Sequence, residues 1–257
     1  MDMTELRSLW QMIKGVPAGT NYAARLDAFY RPQAQYYDSM HECMLHGRDR
    51  LLNALKPTPG SRVVELGAGT GAMLDLWGAR LLTLSALELV DICPAMLERA
   101  HRRARGHHNI RVVEADATAY RAPWPADCVY FSYSLTMIPD WVRALNNALA
   151  MLKPGGKLGI VDFYVTSADQ DCARAQHSAF TRWFWTQWFH HDQVHLSENH
   201  LSALCTLTDR VHLHEGQGAL PYVPLLRAPY YVFVGTKPAR PRSELITDLW
   251  KKSARQS

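Results

Sequence analysis

Val63-Val64-Glu65-Leu66-Gly67-Ala68-Gly69-Thr70-Gly71 joins a short apolar run to an acid and then to three glycines at alternate positions. The run reads as a buried β-strand. The glycines read as a tight turn that opens a helix, predicted over Ala72 to Arg80. A bare backbone there admits a cofactor to close range, and the helix aims its N–H groups and positive dipole end at it. Glu65 ends an otherwise apolar strand, where an unpaired carboxylate is costly. It needs donors, which the turn amides or a cationic ligand would supply.

Downstream, Thr83 to Val90 is a second apolar run, and it ends in Asp91, 20 residues past Gly71. Pro94 stands at a first helical position, followed by Met96-Leu97-Glu98-Arg99-Ala100. A carboxylate at that strand tip is placed to accept from two ribose hydroxyls. Ile110-Arg111-Val112-Val113-Glu114-Ala115-Asp116-Ala117-Thr118 is a third run, whose acid and small residues would flank a purine. Three successive strand tips carrying glycines, Asp and Asp describe a nucleoside site on a parallel sheet. Gly67-x-Gly69-x-x-Ala72 also fits the dinucleotide fingerprint of nicotinamide-dependent oxidoreductases. Asp116 and the Pro154-Gly155-Gly156 turn before a fifth strand do not belong to that pattern.

With these pieces in place the chain resembles the class I S-adenosylmethionine-dependent methyltransferases. The matching segments are Glu65–Gly71, Asp91-Ile92-Cys93-Pro94-Ala95-Met96-Leu97, Glu114–Ala117 and Leu152–Lys157, within residues 47–163. The resemblance implies an α/β, Rossmann-like fold with a mostly parallel seven-stranded sheet and helices on both faces. It implies the catalytic domain over 59–237, preceded by an N-terminal helical lid over residues 1–58; residues 165–209 depart from the minimal fold as an aromatic-rich helical insertion, and residues 238–257 read as a basic tail. It also implies S-adenosylmethionine as cofactor, held by Tyr37, Arg48, Glu65, Gly67, Ala68, Gly69, Asp91, Ile92, Met96, Asp116, Ala117 and Ser132, with S-adenosylhomocysteine as product.

The rest of the chain is consistent with one globular domain plus an extension: 257 residues, 47% hydrophobic and 20% charged. No apolar run reaches the ~18 residues of a membrane span, and no secretory signal pattern opens the chain. Cys43, Cys93, Cys128, Cys172 and Cys205 are scattered and are expected to be reduced thiols of a cytoplasmic protein. The formal charge of +4 resides wholly beyond residue 236, and a neutral body argues against a nucleic-acid groove. Leu6, Leu9, Trp10 and Ile13 give the first segment one apolar face, suited to packing, to a lid or to a membrane interface. Residues 21–55 read as mostly helical, with Tyr36 and Tyr37 as candidate aromatic cover. Arg48 is placed to pair with the cofactor's methionine carboxylate or an acidic substrate group.

A fourth strand, Asp127 to Ser132, carries Tyr133 and Ser134 just past its tip, where open α/β sheets do chemistry. Pro139 is expected to start a helix that Lys153–Gly156 ends, before a fifth strand over Leu158 to Phe163. Phe180, Phe184 and Trp188 share one helical face, which Trp185 and Phe189 extend. That face is either core or an aromatic wall for an amine or lipid. His190, His191 and His195 lack further ligands at metal spacing, so no metal site is expected. Val211 to His214 and Tyr230 to Gly235 read as a closing strand pair, with Gly216, Gly218 and several prolines in the loop between.

Gly47–Leu51, Ser132–Trp141, Trp185–His190 and Pro229–Gly235 are further similar to the methyltransferase half of betaine lipid synthases. That resemblance implies trimethylation of the amine of diacylglyceryl-homoserine, a diacylglycerol-derived lipid, to diacylglyceryl-N,N,N-trimethylhomoserine. A separate aminocarboxypropyltransferase would make the substrate, and the chain would lie peripherally on the inner membrane face. Tyr133 is the candidate catalytic, substrate-positioning residue, with Tyr36, Ser134, Trp185 and His190 at the substrate. Phosphatidylethanolamine or a quinone precursor is the alternative acceptor.

Overall fold

The computed structural model of the chain describes residues 22–31, 44–166, 175–190, 194–220 and 223–239. The expected first helix, Tyr36, Tyr37 and the basic tail lie outside these residues, as does the side chain of His190. One seven-stranded sheet has the order β3-β2-β1-β4-β5-β7-β6. Its strands are β1 Arg62–Leu66, β2 Ala86–Asp91, β3 Ile110–Glu114, β4 Ala126–Ser132, β5 Leu152–Phe163, β6 Asp209–Leu220 and β7 Val223–Thr236. The first five pair in parallel, and β7 and β6 close the sheet antiparallel.

Both faces of the central strands are buried, which is why they read as continuous apolar runs. Successive residues go to opposite faces: Val63 enters one core and Val64 the other. The first core is covered by α2 (Arg48–Leu55), α3 (Met73–Trp77) and α4 (Pro94–Arg103). The second is covered by α5 (Trp141–Met151) and α7 (Asn199–Leu207). A further helix, α1 (Tyr22–Tyr30), packs on the start of α4, and α6 (Ala179–His190) packs on the tips of β5 to β7.

Several boundaries differ from the sequence reading for local reasons. The helix after the glycine turn ends at Trp77, because Gly78 takes φ +53 and the chain continues as a 3-10 turn to Thr83. Strand β2 therefore starts at Ala86, not Thr83. Pro139 precedes α5 without starting it: Asp140 is the N-cap, its Oδ1 accepting the Arg143 N–H at 3.1 Å. Residues Lys153–Gly156 belong to β5, which begins at Leu152.

The largest correction is at β6 and β7, which are ladder through most of the expected loop. Gly216 and Gly218 are there because rings lie against them: a Cβ on Gly218 would stand 2.0 Å from the His46 ring, and one on Gly216 2.7 Å from the Tyr230 ring. Pro229 is tolerated because β5 pairs with β7 only as far as Tyr230, leaving one neighbour beyond it.

Helix α6 divides its aromatics differently from the expectation. Trp185 and Phe189 are buried against Phe163, Val165, Leu220 and Ala228, whereas Phe180, Trp183 and Trp188 are 70%, 61% and 44% exposed. The cysteine expectation also needs amending. Cys93 and Cys128 are free and buried, but Cys205 in α7 is disulfide-bonded. No helix among the described residues is long and apolar enough to cross a membrane.

Candidate active site

A cavity of about 380 Å³ opens where β1, β2 and β4 end, beneath α1. Its floor is the turn after β1. The N–H groups of Gly67 and Ala68 both donate to the Val90 carbonyl, at 2.8 and 3.0 Å, folding that turn over the end of β2. Gly67 has φ +73, and a Cβ there would stand 2.4 Å from the Ser134 Cβ. Ser134 Oγ in turn donates to the Leu66 carbonyl at 2.7 Å, so the tips of β1 and β4 are stitched together. Gly69 has φ +54 and nothing within 4 Å of its Cβ position. The backbone at that point faces open space.

Three carboxylates converge on this floor. Asp91 accepts the Gly69 N–H at 2.7 Å on Oδ2 and the Cys93 N–H at 2.9 Å on Oδ1. Burial pushes its pKa up, and these amide bonds pull it back. Asp116 Oδ1 accepts the Thr118 N–H at 2.7 Å, turning the chain after β3. Glu65 is 1% exposed and sits opposite Tyr130 in the β1–β4 register. Tyr130 donates its hydroxyl to Glu65 Oε2 at 2.8 Å, and Trp77 Nε1 donates to the Tyr130 oxygen at 3.1 Å. Burial raises Glu65 to about 8, against the pull of the Tyr130 bond and of Arg48, with Asp91 adding to the rise. Arg48 opens α2 after Gly47 and lines the same cavity.

The opposite wall is the turn after β4. Tyr133 takes φ +54, a left-handed conformation that costs a non-glycine residue roughly 1–2 kcal/mol. Three contacts hold it: its N–H donates to the Val161 carbonyl at 2.8 Å, its hydroxyl donates to the His46 carbonyl at 2.7 Å, and its ring lies 4.7 Å from that of Phe163. Burial raises its phenol pKa well above the ordinary value. Strain held in place by the surroundings at a strand tip is a mark of a functional position.

Helix α1 roofs the cavity from one wall to the other. From its first and last residues it reaches Met137: Tyr22 donates its hydroxyl to the Met137 carbonyl, and the Tyr30 hydroxyl lies 3.5 Å from Met137 Sδ. Between them, Asp27 accepts the Ala95 N–H at 3.0 Å and so caps α4 from outside.

The cavity brings together Arg48, Glu65, Gly67, Ala68, Gly69, Asp91, Ile92, Met96, Asp116, Ala117, Ser132, Tyr133 and Ser134 from the sequence reading. Trp185 does not line it. It stands behind the wall, reaching Tyr133 only through Phe189 and Phe163. Tyr36, Tyr37 and the His190 side chain lie outside the described residues. Sequence reasoning missed Tyr22, Leu26, Leu45, Met137 and Arg143, which also line the cavity. A signal existed for the first two: Tyr22, Leu26, Phe29 and Tyr30 fall at helical spacing on one face.

Acids for hydroxyls and a cation, a guanidinium for a carboxylate, and apolar walls for a purine together suit S-adenosylmethionine. Residues 36–212 match the family model described as a methyltransferase domain. This chain belongs to that family. Membership decides the choice that the glycine pattern left open: residues 36–212 are a methyltransferase domain, and S-adenosylmethionine is its cofactor.

Among curated relatives, an aklanonic acid methyltransferase of Streptomyces sp. strain C5 is 34% identical over 42% of this chain and 51% of its own length. A demethylmenaquinone methyltransferase of Clavibacter sepedonicus is 30% identical over 54% of this chain and 58% of its own. The chain thus spans a little over half the length of the curated relatives it matches. Among solved structures, the phosphoethanolamine N-methyltransferase 2 of Haemonchus contortus shares the fold at a TM-score of 0.64 and 15% identity, over 86% of this chain and 61% of that one.

Proposed function

We propose that this methyltransferase trimethylates the amine of diacylglyceryl-homoserine, producing the betaine lipid diacylglyceryl-N,N,N-trimethylhomoserine. The observation that carries the reading is a file of aromatic rings running from the cavity wall to the surface. Tyr133 meets Phe163 at 4.7 Å, Phe163 meets Phe189 at 4.5 Å, and Phe189 meets Trp185 at 5.5 Å. Trp185 then meets Trp188 at 6.2 Å on the exposed side of α6, beside Phe180 and Trp183. An aromatic face tolerates an amine through all three methylation states, because it needs no N–H donor from the substrate. Exposed tryptophans suit a lipid–water interface, where one end of the ring stays wet. This supports a peripheral position on a membrane; on the inner face, a separate aminocarboxypropyltransferase would supply the substrate.

The bound cofactor supplies an electrophilic methyl group on a sulfonium. Asp91 would accept the ribose hydroxyls, and Asp116 and Ala117 would flank the purine with Ile92 and Met96. Glu65, held by Tyr130, sets a negative charge near the cationic end when ionised. Arg48 pairs with a carboxylate, that of the cofactor's methionine or of the homoserine acceptor. Tyr133 and Ser134 align the acceptor nitrogen. Aligning the acceptor lone pair in line with the sulfonium methyl group would supply most of the catalysis. After each of the first two transfers the nitrogen gives up a proton to solvent before it can react again.

A second reading, C-methylation of a membrane-borne quinone precursor, is favoured by the demethylmenaquinone relative. One experiment separates them. Calorimetry first establishes S-adenosylmethionine binding against NADH. The loaded protein is then incubated with diacylglyceryl-homoserine, phosphatidylethanolamine or demethylmenaquinone, and the lipids are weighed by mass spectrometry. Gains of one, two and three methyl groups on diacylglyceryl-homoserine alone support the proposal. A single gain on the quinone replaces it.

A further inference from the structure

Asp162, next to the tip of β5, is fully buried and does not line the cavity. Among the described residues no ion pair neutralises it. Its carboxylate is held by hydrogen bonds: Oδ1 accepts the Thr136 hydroxyl at 2.7 Å and the Phe163 N–H at 2.9 Å, and Oδ2 accepts the Thr136 N–H at 3.1 Å. The Leu135 N–H donates as well. Burying such a group is expensive, and an apolar residue would fill the space at lower cost. The location of its donors gives a reason for it.

Two of the donor residues, Leu135 and Thr136, lie in the short 3-10 turn Leu135–Met137 that follows β4. That turn joins Tyr133 and Ser134 to Met137 and Ile138, and all four line the cavity. Thr136 is its anchor. Its N–H and hydroxyl both go down to Asp162, and its carbonyl accepts the His195 N–H at 2.7 Å, from the segment after α6. The neighbouring Met137 carbonyl takes the Tyr22 hydroxyl from the roof. The turn is thus fastened from below, from the side and from above. Tyr133, at its start, is in a strained conformation that persists only if the surroundings impose it.

We propose that Asp162 is a positioning residue for the acceptor side of the site: acting through Thr136, it holds the Tyr133–Ile138 turn in the geometry that aligns the nucleophile. The proposal rests on the placing of Tyr133 at the acceptor, and not on which acceptor is used. It bears less on the cofactor floor, because Asp91 and Asp116 take their hydrogen bonds from Gly69, Cys93 and Thr118, and the turn meets that floor at Gly67 through Ser134.

The test compares Thr136→Val, which removes the hydroxyl and keeps the volume, Thr136→Ser, which restores the hydroxyl, and Asp162→Asn. Hydrogen exchange of peptides covering residues 133–140 reads the turn without any acceptor. We expect about tenfold faster exchange there in Thr136→Val and Asp162→Asn, with wild-type protection in Thr136→Ser. With the acceptor that the wild type methylates, kcat should fall about tenfold in both disrupted variants, while S-adenosylmethionine affinity stays within about twofold. Wild-type exchange in both overturns the proposal, as does cofactor affinity that falls in step with kcat, or a Thr136→Ser variant as impaired as Thr136→Val. Failure of the lipid acceptor alone would leave the exchange result standing, so the two readings fail separately. Should Asp162→Asn not fold, the two threonine variants decide.

Discussion

The two sides of the cavity are built by different means. The cofactor side is backbone: amides of Gly67, Ala68, Gly69 and Cys93 tie the tips of β1 and β2 together, with partners no more than one strand–helix unit away in the chain. The acceptor side is side chains, several of them brought from farther off: Tyr133 to His46, Tyr22 to Met137, Thr136 to Asp162, and the ring file through Phe163 and Phe189 into α6. Backbone geometry between neighbouring units can be fixed by a motif. Packing between distant elements is free to differ between proteins of one fold.

The largest expected effect is on the backbone side. Asp91→Ala removes the acceptor for Gly69 and Cys93 together with the proposed partner of the ribose hydroxyls, and S-adenosylmethionine affinity should fall about 100-fold or more by calorimetry. Affinity within a few-fold of wild type would mean that the turn stands without Asp91 and that the contrast is overdrawn. Tyr133→Ala should cut turnover by about 100-fold yet bind the cofactor normally, a split between kcat and affinity that no cofactor-side variant should show. Near-normal turnover would remove Tyr133 from the site.

A smaller effect sharpens the electrostatics of the floor. Burial raises Glu65 from 4.5 to about 8, so in the cofactor-free protein the folded state holds a proton that the unfolded chain releases. Its contribution to stability is complete below about pH 4.5 and is lost as the pH rises towards 8. Relative to Glu65→Gln, the wild type should therefore lose roughly 1 kcal/mol per pH unit across that window, read from denaturant melts at several pH values. A constant difference between the two proteins would show that Glu65 titrates normally. Comparison with the single variant matters, because buried His200, lowered to about 3, works in the opposite sense below pH 6.5. The smallest change in stability is expected at Phe180, Trp183 and Trp188. Replacing all three with serine should leave the melting temperature within a few degrees, since they are exposed, while sedimentation with phospholipid vesicles drops severalfold. Unchanged vesicle binding would detach α6 from the lipid reading.

Legibility in the sequence follows the same division. The order glycine turn, Asp91, Asp116 could be read because each marker sits at the end of an apolar run, and a parallel sheet puts those ends side by side. Tyr133 and Ser134 could be read for the same reason, at the fourth tip. Trp185 could not be placed: helical spacing puts it beside Phe189, but only the docking of α6 onto Phe163 and Ala228 decides which side is buried. The β6–β7 ladder was hidden because glycine and proline, which usually end strands, there make room for His46 and Tyr230 or sit beyond the last β5 pair. Tyr22 and Met137 meet across 115 positions, a separation no local pattern records.

The sequence by itself determined the sheet of alternating strands and helices, and the glycines and acids gathered at its strand tips, because these depend on period, turn chemistry and the order of strand tips. Only the tertiary structure decided which aromatic residues face the cavity, which face water, and that Asp162 fastens the wall opposite the cofactor. Those outcomes depend on how distant elements pack against one another, and packing is set by the shapes of both partners and not by either stretch alone.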